Sequence, residues 1–415
     1  MQTLIKTKGL IDVNSAGVIP QQYVAVQGTT ISAVGPLDKM PAPDPDTDIL
    51  DCRDQYILPG LVNSHAHTGT FYGKDDADFE DFANYPHELL AMAAARNVRA
   101  EMESGVTTLR DCSGHNKVVF SLRTAIEKAL VMGPRLVTSG RCLTIPGGHC
   151  HFIGIQVDGP DNIARVVRQQ IEAGADFIKI MATGGGTKGT IPGQASFSVP
   201  EITAACEAAH RLGKKVSAHC RGIPGIRSAV EGGVDHIEHA DFELPDGRLA
   251  FDPFLAEKIA DHKIYVTPTI QLYRDLVAAG QRRRASGKLS AYEEKYLSVL
   301  QQALDEKFRA MEGLLRAGVR CVAGNDAGLP NTPFGGFWLE LDAMVKGGMT
   351  PIQAITAGTR TGAEAMGLFS ETGSIEAGKR ADIIAVDQDP TADIASLGKV
   401  SMVMRAGKVC KQGHP

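Results

Sequence analysis

Two histidines separated by a single residue, His65 and His67, stand at the end of the apolar run in ILPGLVNSHAHTGT. The run predicts a buried strand, and residues i and i+2 of a strand point to the same side. Both imidazoles can therefore reach one metal ion. An isolated His-x-His pair is weak evidence, so the case depends on the ligands that the rest of the chain supplies.

Further candidate ligands follow at the predicted ends of later strands. They are Lys179 in DFIKIMATGGG, His219 in KVSAHC, His239 in DHIEHA and Asp326 in RCVAGND. Four imidazoles, one carboxylate and one lysine suit two divalent metals bound through nitrogen and oxygen. A charged ammonium is unfavourable between two cations, so Lys179 fits as the carbamate formed with CO2, which is anionic and can bridge both ions. The alternative is a free lysine that binds a substrate carboxylate.

The elements that must position these residues alternate between strands and helices. Eight β-prone segments are found, at residues 58–67, 105–111, 134–141, 175–181, 215–220, 235–240, 263–270 and 320–326. Helical segments separate them, for example after Ser198, a candidate cap ahead of Pro200. This alternation predicts an α/β fold, a (β/α)8 TIM barrel with its function at the carboxyl ends of the strands. The alternative, an open doubly wound sheet, would not gather ligands from eight strand ends around one axis.

The two ends of the chain read instead as short strands and tight turns. Residues 1–55 and 366–415 are predicted to pair into one small β-sandwich domain, which leaves residues 56–365 as the barrel. One segment, residues 271–318, departs from the alternation of short strands and helices because it is long, charged and helical. It could be a lid, an oligomer contact or an enlarged outer helix.

Composition excludes several classes of protein. The chain has 415 residues, 43% hydrophobic and 22% charged, with a formal net charge of −5. Such values are typical of globular proteins, and without a basic face no nucleic-acid partner is expected. The eight cysteines form no CxxC pair, and no apolar stretch approaches a membrane span or a secretion signal. We therefore expect a reduced, cytoplasmic enzyme with free thiols and no membrane partner.

The motifs SHAH, ADFIKIMATGGG, VSAHC, IEHA and AGNDAG, in this order, resemble those of the amidohydrolase superfamily of metal-dependent hydrolases. The C-terminal segment TGSIEAGKRADIIAVD is similar to the one that closes the small β-domain of these enzymes. PGGHC and GIPGIRSAVEGGVDHIEHA resemble the branch of Xaa-Pro and Xaa-Arg/Lys dipeptidases with its ochratoxin- and phenylurea-hydrolysing relatives. The resemblance covers essentially the whole chain.

The resemblance implies a binuclear enzyme that cleaves the amide C–N bond of an N-acyl amino acid or dipeptide, with zinc as the first expected metal. The implied ligands are His65, His67 and Asp326 for the more buried ion, His219 and His239 for the second, and carboxylated Lys179 as the bridge. A hydroxide between the metals would attack the carbonyl, with Asp326 as general base and then general acid. A homo-oligomer is expected, as in relatives.

The residues that would select the substrate are less well marked. In relatives a histidine equivalent to His149 contacts the substrate; here it could also be an ordinary loop residue. Many dipeptidases of this branch place a carboxylate-binding tyrosine just after the histidine that matches His219, whereas this chain has Cys220 and Arg221. Arg221 could bind an anionic substrate group through its bidentate fork, or face solvent.

Two loops near the predicted site carry further expectations. The glycine-rich loop ATGGGTKGTIPGQASFS is predicted to shape the site mouth, since it lacks a phosphate-binding fingerprint. The acidic residues of the loop after the first barrel strand could favour cationic substrates or form a solvated surface; they are Asp75, Asp76, Asp78, Glu80 and Asp81.

Three rival functions stay open at the level of sequence. A mononuclear deaminase or cyclic-amide hydrolase would not need Lys179. A scaffold that has lost its activity should lack ligands, whereas here all six positions are filled. A hydrolase of ureas, carbamates or N-aryl amides could use the same ligand set, so the ligands do not separate it from a dipeptidase.

Overall fold

Three β-sheets and eleven α-helices are found in the part of the chain that the computed structural model describes, residues 2–70, 84–287 and 289–413. The acidic loop residues 75–81 lie outside this part. The parallel pairing within two of the sheets and the helices between their strands confirm the predicted α/β class.

One sheet has seven strands drawn from both ends of the chain. The strands are β1 (Gln2–Asp12), β2 (Gly17–Gln27), β3 (Thr30–Pro36), β4 (Thr47–Pro59), β15 (Ile383–Val386), β16 (Val400–Arg405) and β17 (Lys408–Gln412). Their order is β17-β16-β15-β4-β1-β2-β3. The central strand β4 pairs parallel with β1 and antiparallel with β15, so the two ends of the chain share one sheet.

The other two sheets are parallel. One contains β5 (Leu61–Ala66), β6 (Val106–Asp111) and β7 (Arg135–Thr138). The second has the order β14-β13-β12-β11-β10-β8-β9, with β8 (Leu143–Thr144), β9 (Ile155–Gln156), β10 (Ile178–Met181), β11 (Val216–Gly222), β12 (His236–Glu243), β13 (Tyr265–Thr267) and β14 (Arg320–Cys321). Each of the eight predicted β-segments overlaps one of these strands, with β11 and β12 extending two and three residues beyond their predicted ends, while β8 and β9 are additional.

Backbone hydrogen bonds connect both edges of the three-stranded sheet to the seven-stranded parallel sheet. At one edge the Ser64 amide donates to Ala323, and the Asp326 amide donates to His65, each at 2.9 Å. At the other edge the Asp176 amide, just before β10, donates to Thr138 of β7 at 2.9 Å. The first and last predicted barrel strands are therefore neighbours, which brings the carboxyl ends of β5 and β14 together.

The helices lie between consecutive parallel strands, and the last three lie between β14 and β15. They are α1 (His87–Glu103), α2 (Asn116–Glu127), α3 (Pro160–Glu172), α4 (Val199–His210), α5 (Ile223–Gly232), α6 (Pro253–Asp261), α7 (Ile270–Ala285), α8 (Ala291–Arg316), α9 (Trp338–Lys346), α10 (Pro351–Ala357) and α11 (Arg360–Ala365). Ser198 caps α4 in a capping box with Glu201, and Pro200 lies in the first turn, as predicted. None of the helices in the described ranges is long and apolar enough to cross a membrane.

Apolar side chains fill the space between strands and helices. The largest buried cluster joins Ile180, Ala218 and Ile237 of the parallel strands to helical residues such as Ile202 and Ile226. A separate cluster fills the space against the terminal sheet. The segment predicted to be helical, 271–318, contains α7 and α8, which pack on each other through Val277, Leu297 and Leu300.

Candidate metal centre

The six predicted metal ligands come from five different strands or the residues just after them, and they lie close together. The strands that carry His219 and His239 continue beyond these residues, whereas the sequence predicted that they end there. His65 ends β5 with His67 just after it, Lys179 is on β10, His219 on β11, His239 on β12, and Asp326 follows β14. All six are buried. In the parallel register Met181 lies opposite His219, and Cys220 lies opposite His239, so neighbouring strands present their ligands at nearly the same height.

Asp326 occupies the middle of this group. Its Oδ1 lies 3.1 Å from His67 Nε2 and 3.3 Å from His65 Nε2, and its Oδ2 lies 3.9 Å from His239 Nδ1. His65, His239 and Asp326 offer ligand atoms that all lie within 4.8 Å of one another. Burial alone would raise the pKa of Asp326, but the imidazoles of His65 and His67 outweigh it and hold the pKa below its ordinary range. The carboxylate is therefore ionised and available as a ligand.

Each histidine is oriented by a hydrogen bond from its second ring nitrogen. The partners are Glu238 for His65 Nδ1 at 2.8 Å, the Ser113 carbonyl for His67 Nδ1 at 3.1 Å, Thr269 for His239 Nδ1 at 2.8 Å, and the Gly184 carbonyl for His219 Nε2 at 3.0 Å. Such bonds are usual for metal-binding histidines, because they fix the ring and leave the other nitrogen for the ion. Burial also lowers the pKa of His219 and His239 well below the ordinary value. Both rings are therefore neutral, which is the form that binds a metal.

Lys179 tests whether the site fits a metal centre. Its side chain is 1% exposed, and Nζ has no hydrogen-bond partner among the described residues. A buried ammonium without a partner is costly by several kcal/mol, so natural proteins avoid it. A carbamate on Nζ would instead place two oxygens that share one negative charge among four imidazoles. The lack of a hydrogen-bond partner for Nζ therefore fits the expected carboxylated lysine.

Glu238 is a part of the site that the sequence analysis missed. It is fully buried, and its Oε2 contacts His65 Nδ1 while its Oε1 accepts from Arg110 Nη2 at 2.6 Å and Ser217 Oγ at 2.5 Å. Cys112 is also near His65 and Glu238. Burial raises the pKa of Cys112 to about 12, so it is a protonated thiol and a poor ligand. A carboxylate directly before His239 in the predicted strand DHIEHA was the available signal for Glu238.

Backbone strain is concentrated where the ligands leave their strands. His239, Thr269 and Asp326 have φ values of 74°, 48° and 60°, in the left-handed region that residues with side chains rarely adopt. Such conformations persist only where the surroundings hold them, and they cluster at functional sites. At His239 the positive φ interrupts the two-residue alternation of side-chain directions along β12.

His149 also lies at the site, next to the predicted ligands. Its ring centroid is 4.5 Å from that of His219, and its Nδ1 contacts Thr187 Oγ1 at 2.8 Å. Burial, with the nearby cations Lys179 and Arg221, lowers the pKa of His149 to about 3. The glycine-rich loop packs directly on this ring, since a Cβ at Gly185 would lie 2.6 Å from it. His149 is thus a neutral imidazole held in place by the loop.

Arg221 lies beside the predicted ligands, but its guanidinium already contacts three side chains. Its Nε donates to Asp241 at 2.7 Å, and its Nη2 donates to Tyr273 at 2.9 Å and lies 3.0 Å from Glu243. The guanidinium is one quarter exposed. Lys307 of α8 completes the cluster, since its Nζ donates to Asp241 at 2.6 Å and to the His239 carbonyl at 2.9 Å. The helical segment 271–318 therefore contributes side chains beside the metal centre.

This fold and this cluster of ligands define a metal-dependent hydrolase. The amidohydrolase family profile matches residues 56–410, and the chain belongs to that family. It is accordingly a hydrolase acting on C–N bonds, and the family resemblance predicted from the motifs is confirmed.

Individual relatives extend the match over nearly the whole chain. Ochratoxinase from Aspergillus niger is 28% identical over 396 residues, which cover 86% of this chain and 76% of that protein. A solved Xaa-Pro dipeptidase with bound methionine is 29% identical, with a TM-score of 0.85 over 99% of this chain and 100% of the other. Phenylurea hydrolase B, at 21% identity and a TM-score of 0.81 over 99% and 96% of the two chains, shares the fold.

Proposed function

We propose that this protein is a binuclear metal-dependent amidohydrolase that cleaves the amide C–N bond of an N-acyl amino acid or dipeptide. The observation that carries the proposal is the buried Nζ of Lys179, which has no hydrogen-bond partner among the described residues and lies among four histidines and a carboxylate. A mononuclear site would not need a bridging lysine. The likeness to a Xaa-Pro dipeptidase and to ochratoxinase supports the choice of substrate class.

The proposed ligands divide the site into two halves. His65, His67 and Asp326 would hold the first divalent ion, His219 and His239 the second, and carboxylated Lys179 would bridge the two, with zinc as the first candidate. When bound, two such ions lower the pKa of a water held between them and polarise the scissile carbonyl. The remaining tasks, which are positioning and proton transfer, belong to the protein's own side chains.

Asp326 is the proposed proton carrier. Water adds to the carbonyl carbon and the C–N bond breaks, so one proton must travel from the water to the departing amine. The Asp326 carboxylate, ionised beside His65 and His67, would take this proton and then donate it to the amine nitrogen. The products are a carboxylic acid and an amine.

His149 and Arg221 are the proposed substrate contacts. His149 is neutral and adjacent to His219, so it could donate a hydrogen bond to the substrate carbonyl without adding charge. Arg221 would contact an anionic group of the substrate through Nη1, which has no hydrogen-bond partner within the described ranges. Because Asp241 and Glu243 partly neutralise its charge, we expect Arg221 to orient the substrate more than to attract it.

The wider architecture is proposed on the same basis. The hydrogen bonds between β5 and the segment after β14, and between β7 and the segment before β10, support a closed (β/α)8 barrel over residues 56–365. The sheet shared by the two chain ends would form the β-sandwich of a second domain, residues 1–55 and 366–415. A cytoplasmic location and a homo-oligomer remain part of the proposal.

Hydrolysis of a substrate panel tests the function. We expect the zinc-loaded protein to cleave N-acyl amino acids or dipeptides with a kcat/KM well above that for aryl ureas, carbamates and cyclic amides. The Asp326→Asn variant serves as the control for contaminating hydrolases, and it should lose activity at least about a hundredfold because a proton carrier is removed. A preference for ureas or carbamates would replace the dipeptidase assignment, and activity on cyclic amides alone would favour a deaminase-like enzyme.

A further inference from the structure

A second cavity lies at the opposite end of the parallel strands from the metal ligands. Its volume is about 610 Å³, within the range of small-molecule sites. It is lined by residues at the beginnings of strands, such as Arg135 of β7, Lys215 before β11 and His236 of β12. Arg405, at the end of β16 in the terminal sheet, covers it from the other side. The cavity is thus formed between the parallel strands and the terminal sheet.

The lining of this cavity is strongly cationic. Six lysines and arginines face two acidic residues; the cations are Arg110, Arg123, Arg135, Lys214, Lys215 and Arg405, and the acids are Glu127 and Asp176. Three of the cations are neutralised by neighbours. Arg123 pairs with Asp176 at 2.6 Å, Arg135 with Glu371 at 2.8 Å and Arg110 with Glu238 at 2.6 Å. A net positive charge therefore remains within the cavity.

The remaining cations lack carboxylate partners. Lys215 donates to the carbonyls of Glu364 and Ala365 at the end of α11. Lys214 and Arg405 form no ion pair with any residue in the described part of the chain, and the Nε of Arg405 is buried without a hydrogen-bond partner. Burial and the neighbouring guanidinium of Arg380 lower the pKa of Arg405. A buried donor on a cation is costly unless an acceptor satisfies it.

We propose that this cavity is a binding site for a small oxyanion, a phosphate or phosphate monoester, held by Lys214 and Arg405. A phosphoryl group offers several acceptor oxygens and negative charge, which matches a guanidinium and an ammonium that form no ion pair within the described ranges, with Asp382 acting on Arg405 only at longer distance. The cavity volume leaves room for an organic portion attached to the phosphate. The site is separate from the metal centre, because it lies at the amino ends of the strands whose carboxyl ends carry the ligands.

Titration calorimetry with inorganic phosphate and with adenosine monophosphate tests the site. We compare the wild-type protein with the Lys214→Gln and Arg405→Gln variants, and use Arg309→Gln, an exposed position on α8, as the matched control. Each cavity variant should weaken binding at least about tenfold, because a charge-assisted hydrogen bond is lost. The control should bind like the wild type.

The comparison also separates this site from phosphate bound at the metal centre. All four proteins keep the metal ligands, so a metal-bound phosphate contributes the same isotherm to each, and only the cavity contribution changes. Lys214 is partly exposed and forms no ion pair within the described ranges, so we expect Lys214→Gln to fold even if Arg405→Gln unfolds the protein. Tighter binding of the monoester than of free phosphate identifies an organic ligand, and the reverse identifies phosphate itself. Identical isotherms for the wild type and Lys214→Gln overturn the proposal.

Discussion

Replacing Glu238 with glutamine changes the hydrogen bonding of His65 while keeping the size of the side chain. Glu238 Oε1 accepts from Arg110 and Ser217, and Oε2 contacts His65 Nδ1 at 2.8 Å. A glutamine has one acceptor oxygen and one NH2 group. Because Arg110 and Ser217 are both donors, the amide oxygen must face them, and the NH2 must face His65.

This orientation of the glutamine amide determines how much metal affinity the variant loses. The glutamine NH2 donates to His65 Nδ1, so the imidazole proton moves to Nε2, the nitrogen that points toward Asp326. The Nε2 lone pair is then no longer available to a metal ion. Loss of such a supporting contact costs roughly 10–100-fold in metal affinity. Breaking the buried pair with Arg110 should also lower the free energy of unfolding by about 3 kcal/mol.

The assay is a competition titration with a chelator, followed by thermal unfolding of the same samples. Asp382→Asn is the matched control, since it removes a buried carboxylate just before β15 of the terminal sheet, where the partners of Asp382 include Ala406 N at 2.7 Å. Both variants should unfold at lower temperature, but only Glu238→Gln should lose metal affinity. If Glu238→Gln binds metal as tightly as the wild type, Glu238 does not fix the tautomer of His65 and the ligand assignment at β5 fails.

Three further perturbations follow from the site and its surroundings. Gly185→Ala should lower kcat/KM at least about tenfold, because a Cβ there displaces the His149 ring, whereas Gly186→Ala, with open space around it, should leave kcat/KM unchanged. Arg221→Ala should raise KM more for a carboxylate-bearing substrate than for its amide; an equal rise would reduce Arg221 to an organiser of the Asp241 cluster. Burial raises the pKa of Glu340 to about 7, above the ordinary 4.5, so the wild type should lose on the order of 3 kcal/mol of its free energy of unfolding as pH rises from 4.5 to 7. Glu340→Gln should not show this loss when urea unfolding is compared at pH 4 and pH 8. It should be less stable than the wild type at pH 4, because both Glu340 oxygens accept backbone amides, those of Ile270 and Gln271, and a glutamine NH2 cannot accept.

The clustering of the predicted ligands could be anticipated from the sequence because parallel strands bring their C-terminal parts to one edge of a sheet. His65, Lys179, His219 and Asp326 each follow a short apolar run, and a repeated strand–helix pattern needs no side-chain detail. The capping of α4 by Ser198 was equally local, since it depends on residues three apart.

The hydrogen bonds and ion pairs that support the predicted ligands could not be predicted from the sequence pattern. Arg110 and Glu238 are 128 residues apart, and Arg221 meets Tyr273 across 52 residues, so these pairs form only when the strands and helices assemble. Within β12 the positive φ of His239 also breaks the two-residue alternation of side chains from which the strand predictions were made. Long-range packing and local strain thus decide the hydrogen bonds that orient the ligands.

Metal content per chain, measured by mass spectrometry of elements in the wild type and in Lys179→Ala, is the most direct test of the binuclear site. The exposed Lys188 provides the control variant Lys188→Ala on the neighbouring loop. We expect two equivalents of metal in the wild type and in the control, with loss of both metal and hydrolysis in Lys179→Ala. A single equivalent in the wild type, together with hydrolysis that survives the loss of Lys179, would rule out the binuclear site bridged by a modified lysine.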